Sequence, residues 1–291
     1  MESYLMIIGA TVLLALDFAL SKKYQGKVGT SAKAGLFFNA ANGLLTAIVF
    51  FCISGFKISF SPYSIIMAAL MSAFAMCYSI IGFKVLKMGS MSLYTVFLMT
   101  GGMILPYIYG TIFLSEAFSV LRLIGLILIF GAIVLSNAAK AKTTKLLVVL
   151  CIAVFVLNGC VSIVSKMHQI EVNYPAVSAS EFVMWSGVCK LIMSGIGFAF
   201  VMRDNESIGT PSLVRALPIV AISAVIGGVS YLLQLIGAAN LDATMLYPCV
   251  TGGSIIFSSL AGLIFFKEKI SLKQWCAVAL CFIGTCLFIQ I

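Results

Sequence analysis

What most constrains this chain is its punctuation: apolar runs of about 20 residues recur from end to end, each broken by a short polar or charged segment. A run of that length matches one helical crossing of a bilayer, whereas a membrane β-barrel would show alternating segments of about 10 residues. Taking the breaks as loops gives ten predicted spans, near residues 3–21, 33–54, 63–86, 92–113, 119–137, 144–165, 178–202, 211–236, 243–266 and 271–290. They use most of the 291 residues and leave no room for a soluble catalytic domain. Composition agrees: 62% of residues are hydrophobic and 9% charged, against the roughly 25% charge of a typical soluble domain. The expected fold class is an all-α, multi-pass membrane protein.

The net charge of +9 is spread between the spans instead of forming one exposed basic face, so nucleic acid is not an expected partner. Numbering the loops in order, the odd ones hold fourteen Lys or Arg, from Lys22 and Lys23 to Lys269 and Lys273, and the even ones hold Lys57, Arg122 and Lys166. By the positive-inside rule the odd loops are cytoplasmic and both termini lie outside, in the plasma membrane. The first span has its basic flank on the C-terminal side and reads as a retained anchor, not a cleaved signal. The Asn205-Glu206-Ser207 sequon then falls on the cytoplasmic side, where it is silent.

Nine cysteines lie within spans, none in a Cys-x-x-Cys pair, and the single histidine, His168, is expected in a loop. This spacing builds neither a metal cage nor a disulfide framework, so the cysteines read as small packing residues, and no cofactor or metal is expected. Phosphate-loop, zinc-protease and nucleophile-elbow motifs are missing, so the chain is not expected to be an enzyme and energy has to come from gradients.

The chain repeats itself. Asp17 corresponds to Asn158, Asn42-Gly43 to Ser186-Gly187, Tyr78 to Tyr231, and Leu93-Tyr94 to Leu246-Tyr247. Thr100-Gly101-Gly102 recurs as Thr251-Gly252-Gly253, and Gly110, Glu116 and Ser119 recur as Gly262, Glu268 and Ser271. Two five-span units, 1–139 and 140–291, follow. Because five is odd, the second copy enters the membrane from the opposite side, giving inverted repeats with a ligand site between them. Small-residue rows in spans 4 and 9, Gly102, Pro106 and Gly110 against Ser254, Ser258 and Gly262, are expected to pack on each other at the pseudo-dyad.

The stretch Gly82-Phe83-Lys84-Val85-Leu86-Lys87-Met88-Gly89-Ser90, the span after it, Phe113-Leu114-Ser115-Glu116 and the Gly125 to Gly131 span resemble the EamA repeat of the drug/metabolite transporter superfamily. The second copy runs through Gly237-Ala238-Ala239-Asn240-Leu241-Asp242 to Phe265-Phe266-Lys267-Glu268 and Gly284. Where that family commonly carries a Trp-Gly pair in its first span, Leu14 and Ala15 stand here, followed by Leu16, Asp17 and Phe18. The resemblance covers essentially the whole chain and implies a ten-helix secondary transporter in which Glu116 and Glu268 are a family feature; their position at span ends points to helix anchoring.

Ionisable groups deep in a membrane are expensive and carry a functional expectation. Lys190 is near the middle of span 7 and Asp17 is about five residues from the centre of span 1, with Asn158 as its repeat partner; Glu181 lies near the start of span 7. Tyr78, Tyr94, Trp185, Tyr231 and Tyr247 cluster at similar levels. Aromatic faces with Asp17 suit an ammonium group, while Lys190 with Asn42, Asn158 and Gln234 suits a carboxylate or hydroxyls. These ten residues form the expected substrate site, with Asp17 also able to carry a coupling proton. The expected function is alternating-access transport of an amino-acid-like compound, an amine or a quaternary ammonium ion, by a monomer or homodimer embedded in the bilayer. The rival expectation is a receptor or helper subunit that keeps the fold without a pathway.

Overall fold

The computed structural model describes residues 2–29, 31–88, 91–136, 144–201, 210–267 and 271–288. Glu268, Lys140, Lys142, Arg203, Lys269 and the 205–207 sequon lie outside the described residues. Within them the chain is helical: α1 (Glu2–Val28), α2 (Ala32–Ile53), α3 (Pro62–Met88), α4 (Met91–Phe113), α5 (Val120–Ser136), α6 (Lys145–Ile170), α7 (Ala179–Val201), α8 (Thr210–Arg215), α9 (Leu217–Asn240), α10 (Ala243–Phe266) and α11 (Leu272–Cys286). Eight of these are long and apolar enough to cross a membrane, and two shorter apolar helices run over Val120–Leu135 and Leu272–Cys286. Large apolar side chains such as Ile48, Ile127, Ile152 and Ile222 point outward, as they do where the solvent is lipid.

Two sequence expectations change. The predicted span 211–236 is broken in two, because Pro218, in the first turn of α9, lacks the N–H that would continue a helix from α8. α6 runs on to Ile170, so His168 and Lys166, both expected in a loop, are helical and buried at 1% and 5% exposure. Lys166 offsets its burial by donating to the Ala238 and Leu241 carbonyls at 2.7 and 2.6 Å, where the last turn of α9 leaves acceptors free.

The neighbour relations have a regular pattern. α1 packs on α9 and α10, while α6 packs on α3 and α4; α3 lies on α7 and α2 on α9. Exchanging α1 with α6, α2 with α7, α3 with α9, α4 with α10 and α5 with α11 maps these contacts onto one another, and the pairs α2–α7, α4–α10 and α5–α11 map onto themselves, whereas α6–α9, α7–α9 and α5–α10 have no comparable counterpart among the described residues. At the α2–α7 crossing the correspondence reaches single atoms. A Cβ added to Gly43 would stand 2.7 Å from the Gly187 carbonyl oxygen and 2.8 Å from Leu191 N; one added to Gly187 would stand 2.7 Å from the Gly43 oxygen and 2.9 Å from Ala47 N. Such close backbone approach is how helices associate where lipid offers no hydrophobic drive.

α4 and α10 do touch, but their small-residue rows do not simply face one another. Gly102 turns to α6, where an added Cβ would be 2.6 Å from Asn158 Nδ2, while Gly110 meets Ala243 of α10 at 3.2 Å. Glu116 anchors a helix end, and it does so on the other half of the chain. Its two carboxylate oxygens accept the Ala243 and Thr244 N–H groups at 2.7 and 2.8 Å, capping α10. Asp242, at the N-cap position, pairs instead with Arg122 at 3.0 Å, which also donates to Thr244 Oγ1 at 3.0 Å. Two charge-assisted bonds at a helix N-terminus are worth about 2 kcal/mol together after solvation is counted. Glu116→Ala is therefore expected to lower the melting temperature in detergent by several degrees and Glu116→Gln by less; equal melting of Glu116→Ala and wild type would remove Glu116 as an anchor.

Candidate functional site

Six of the long helices leave a cavity of about 310 Å³ between them, lined by residues of α1, α2, α3, α6, α7 and α9. Helical periodicity brings its polar groups together: Asn39, Asn42 and Thr46 recur on one face of α2, and Ser186, Lys190 and Ser194 on one face of α7. Asp17 from α1 completes the set of ionisable groups in this wall.

The two charges are joined by a relay. Lys190 Nζ donates to Asn42 Oδ1 at 2.8 Å, Asn42 Nδ2 donates to Ser223 Oγ at 3.5 Å, and the Ser223 hydroxyl donates to Asp17 Oδ1. Each link runs between the first and second halves of the chain. Gly227, one turn after Ser223, makes room for the carboxylate: a Cβ there would be 3.1 Å from Asp17 Cγ. Asn42 therefore uses both ends of its amide, and no charge in the relay stands without a partner, as burial in a low-dielectric setting demands.

Depth separates the lining chemically. Counting about 1.5 Å per residue from the face that carries loops 54–61 and 171–178, Val183 lies about 6 Å deep and Met71, Val161 and Tyr231 about 14 Å. Lys190 and Asn42 then lie about 16 Å deep, and Asp17, Asn39 and Ser194 about 22 Å. The lining nearer those loops, from Val183 through Thr46 and Ser186 to Tyr231, is uncharged, and both charged groups lie deeper. Tyr231 marks the border, its hydroxyl 2.8 Å from both Ser165 Oγ and Met71 Sδ.

Of the ten expected site residues, Asp17, Asn42, Tyr78, Lys190 and Tyr231 line this cavity. The other five are placed elsewhere. Asn158 gives its amide to the Leu98 carbonyl at 2.7 Å, across the α4–α6 contact. Tyr94 packs beside Gly82 and the Val85 cluster, and Tyr247 is buried with its hydroxyl on the Ser162 carbonyl at 2.5 Å. Gln234 bonds back to Ser230 within its own helix, and Trp185 donates to the Ser59 carbonyl at 3.1 Å. Sequence reasoning did not single out Ser223. A serine in an apolar helix has no signature of its own, and the one available signal was its spacing of four from Gly227, which puts both on the face that meets Asp17.

The fold has known counterparts. One solved crystal structure superposes with a TM-score of 0.76 over 97% of this chain and 95% of its own, at 16% identity, which establishes a shared fold. Comparison with curated protein sequences finds no match. The model of the EamA-like transporter family matches residues 145–290, half of the chain, and that match agrees with the drug/metabolite transporter superfamily. With its apolar helices and this match, the chain is a multi-pass membrane protein belonging to the EamA-like transporter family.

Proposed function

We propose that the protein is a ten-helix secondary transporter that carries a small zwitterion through the plasma membrane by alternating access. The observation that carries this reading is the relay Asp17–Ser223–Asn42–Lys190 in the cavity wall, a carboxylate and an ammonium held in one pocket far from either helix end. A ligand bearing both charges replaces the relay's partners with its own, its ammonium on Asp17 and its carboxylate on Lys190. The cavity volume of about 310 Å³ suits an amino-acid-like molecule.

Two inverted five-helix units, 1–139 and 140–291, are the moving parts in this reading. The exchange pattern of helix neighbours and the reciprocal Gly43–Gly187 contact support a pseudo-two-fold axis through that crossing. Since every relay link crosses between the units, whatever binds or neutralises Asp17 changes the energy of their mutual arrangement. Asp17 is the proton-coupling group: Asp17→Glu, which keeps a carboxyl there, is expected to retain stimulation of uptake by a pH gradient, and Asp17→Asn to lose it together with substrate binding. The charge count places the 54–61 and 171–178 loops outside.

Thermal stabilisation of the purified protein by amino acids, amines and sugar phosphates, followed by proteoliposome uptake of whatever stabilises, tests the reading. Amino acids are expected to stabilise most. Stabilisation by sugar phosphates alone, or by nothing in such a panel with no uptake, would overturn it.

A further inference from the structure

Between the uncharged end of the cavity, at Val183, and the face carrying loops 54–61 and 171–178 lies a dense plug of side chains. Phe182, fully buried and adjacent to Val183, stacks on His168 with centroids 3.7 Å apart and planes at 19°. Tyr63 stacks on His168 at 5.9 Å and on Tyr174 at 5.5 Å. Four rings thus interleave segments from both halves of the chain.

Hydrogen bonds tie the same segments. Ser64 Oγ lies 2.8 Å from His168 Nε2 and accepts the Val177 N–H at 3.0 Å, while the Ser61 hydroxyl donates to the Pro175 carbonyl. Gln169 Nε2 sits 2.8 Å from His168 Nδ1; the amide nitrogen donates, so Nδ1 accepts and the ring hydrogen on Nε2 goes to Ser64. Glu181 closes a capping box with Ser178 and reaches across to the Ser59 N–H at 2.9 Å. The 171–178 loop is itself preorganised. Glu171 accepts the Asn173 and Val172 N–H groups at 2.6 and 3.0 Å, and the Asn173 bond foremost holds its carboxyl below the usual range.

From this geometry we infer that Ser64 and His168 are the latch that keeps the cavity shut on this face, and that His168 is a positioning residue for transport instead of a packing residue of one half. The inference rests on the transport reading. His168 comes from α6 and Ser64 from α3, so their bond and the Tyr63–His168 stack tie the ends of these two helices together on this face. Both ring nitrogens of His168 and its stacking on Phe182 and Tyr63 are used within the plug, and a single side chain therefore aligns four partners. Loss of that side chain frees Ser64, Gln169 and the Tyr63 ring together, and opening of this face becomes less costly.

The test places a reporter, Val183→Cys, at the cavity end of the plug and labels it with a membrane-impermeant thiol reagent in intact cells and in inverted vesicles, reading position 183 by peptide mass spectrometry. Val172→Cys, at a loop position 89% exposed, identifies which preparation presents this face. In the parent reporter, labelling from this face is expected to be slow. His168→Ala and Ser64→Ala are each expected to raise it about tenfold, the shift that follows loss of one buried hydrogen bond. His168→Gln, which keeps a donor near the Nε2 position, is expected to stay within about twofold of the parent. Free labelling of the parent from this face, or unchanged labelling in His168→Ala and Ser64→Ala with only a lower melting temperature, would overturn the latch. Because labelling needs no substrate, a shift in labelling without any zwitterion binding would retain the latch while refuting the transport reading.

Discussion

Lys190→Ala is expected to lower affinity for a zwitterionic ligand by at least about thirtyfold, because truncating one member of a buried, hydrogen-bonded charge pair costs about 2–5 kcal/mol. The reason lies in the relay. Lys190 holds the Asn42 oxygen, which orients the Asn42 amide toward Ser223, whose hydroxyl serves Asp17. Without the ammonium, the ligand carboxylate loses its counter-charge and Asp17 is the one remaining ionised group of the relay, deep in the membrane. Asp17→Asn is expected to lose ligand stabilisation to a similar degree. The double variant separates site from scaffold. With both charges gone, no unpaired charge remains, so its melting temperature is expected to recover above that of Lys190→Ala, while binding stays lost. Binding of the same ligand by Asp17→Asn, Lys190→Ala and wild type with equal affinity would refute this site.

Gly43→Ala is expected to be the most damaging single methyl group that can be added to this protein's α2–α7 crossing. Its Cβ would stand 2.7 Å from a backbone oxygen and 2.8 Å from a backbone nitrogen, and neither belongs to a flexible side chain that can move away. The helices have to part along the contact, which costs about 3 kcal/mol or more when overpacking strain and lost backbone contact are combined. Purified Gly43→Ala is expected to melt many degrees below wild type or to leave the monodisperse peak in size-exclusion chromatography. Gly187→Ala is expected to do the same by the reciprocal contact, and the pair together to be less than additive, since the first methyl already separates the backbones. Gly131→Ala and Gly195→Ala, whose added Cβ meets nothing within 4 Å, are the controls and are expected to behave like wild type. A wild-type melting profile for Gly43→Ala would show that the two backbones are not in contact.

Much of the helical framework was legible before any coordinates, and the errors have identifiable causes. Apolar runs gave helix positions to within a few residues for α2, α3, α4, α7 and α10, since a bilayer sets their length. The ends of α1 and α6 do not show in the sequence, because basic residues along a chain read as loop markers. Lys22, Lys23 and Lys27 ride on the last turns of α1, and Lys166 is satisfied inside the bundle by α9 carbonyls. His168 was misplaced for the same reason: polarity along a sequence does not reveal that Ser64, Gln169 and two aromatic rings wait for it. Among polar residues, repeat matching was a guide to depth but not to direction. Asp17 and Asn158 correspond in the two halves, yet Asp17 turns to Ser223 on α9 and Asn158 to Leu98 on α4.

By itself, the order of residues determined that this chain has to be a bundle of membrane-length helices, and that Asp17 and Lys190 lie too deep to be ignored. Both follow from one-dimensional physics: the length of apolar runs and the cost of charge in hydrocarbon. Only the tertiary structure decided which polar groups share a pocket, that Asn42 and Ser223 stand between the two charges, and that one face is closed by His168. Those outcomes depend on the rotation of each helix about its own axis and on which neighbour it meets, and in this chain both are set by contacts between residues more than a hundred positions apart, such as Gly43 with Gly187.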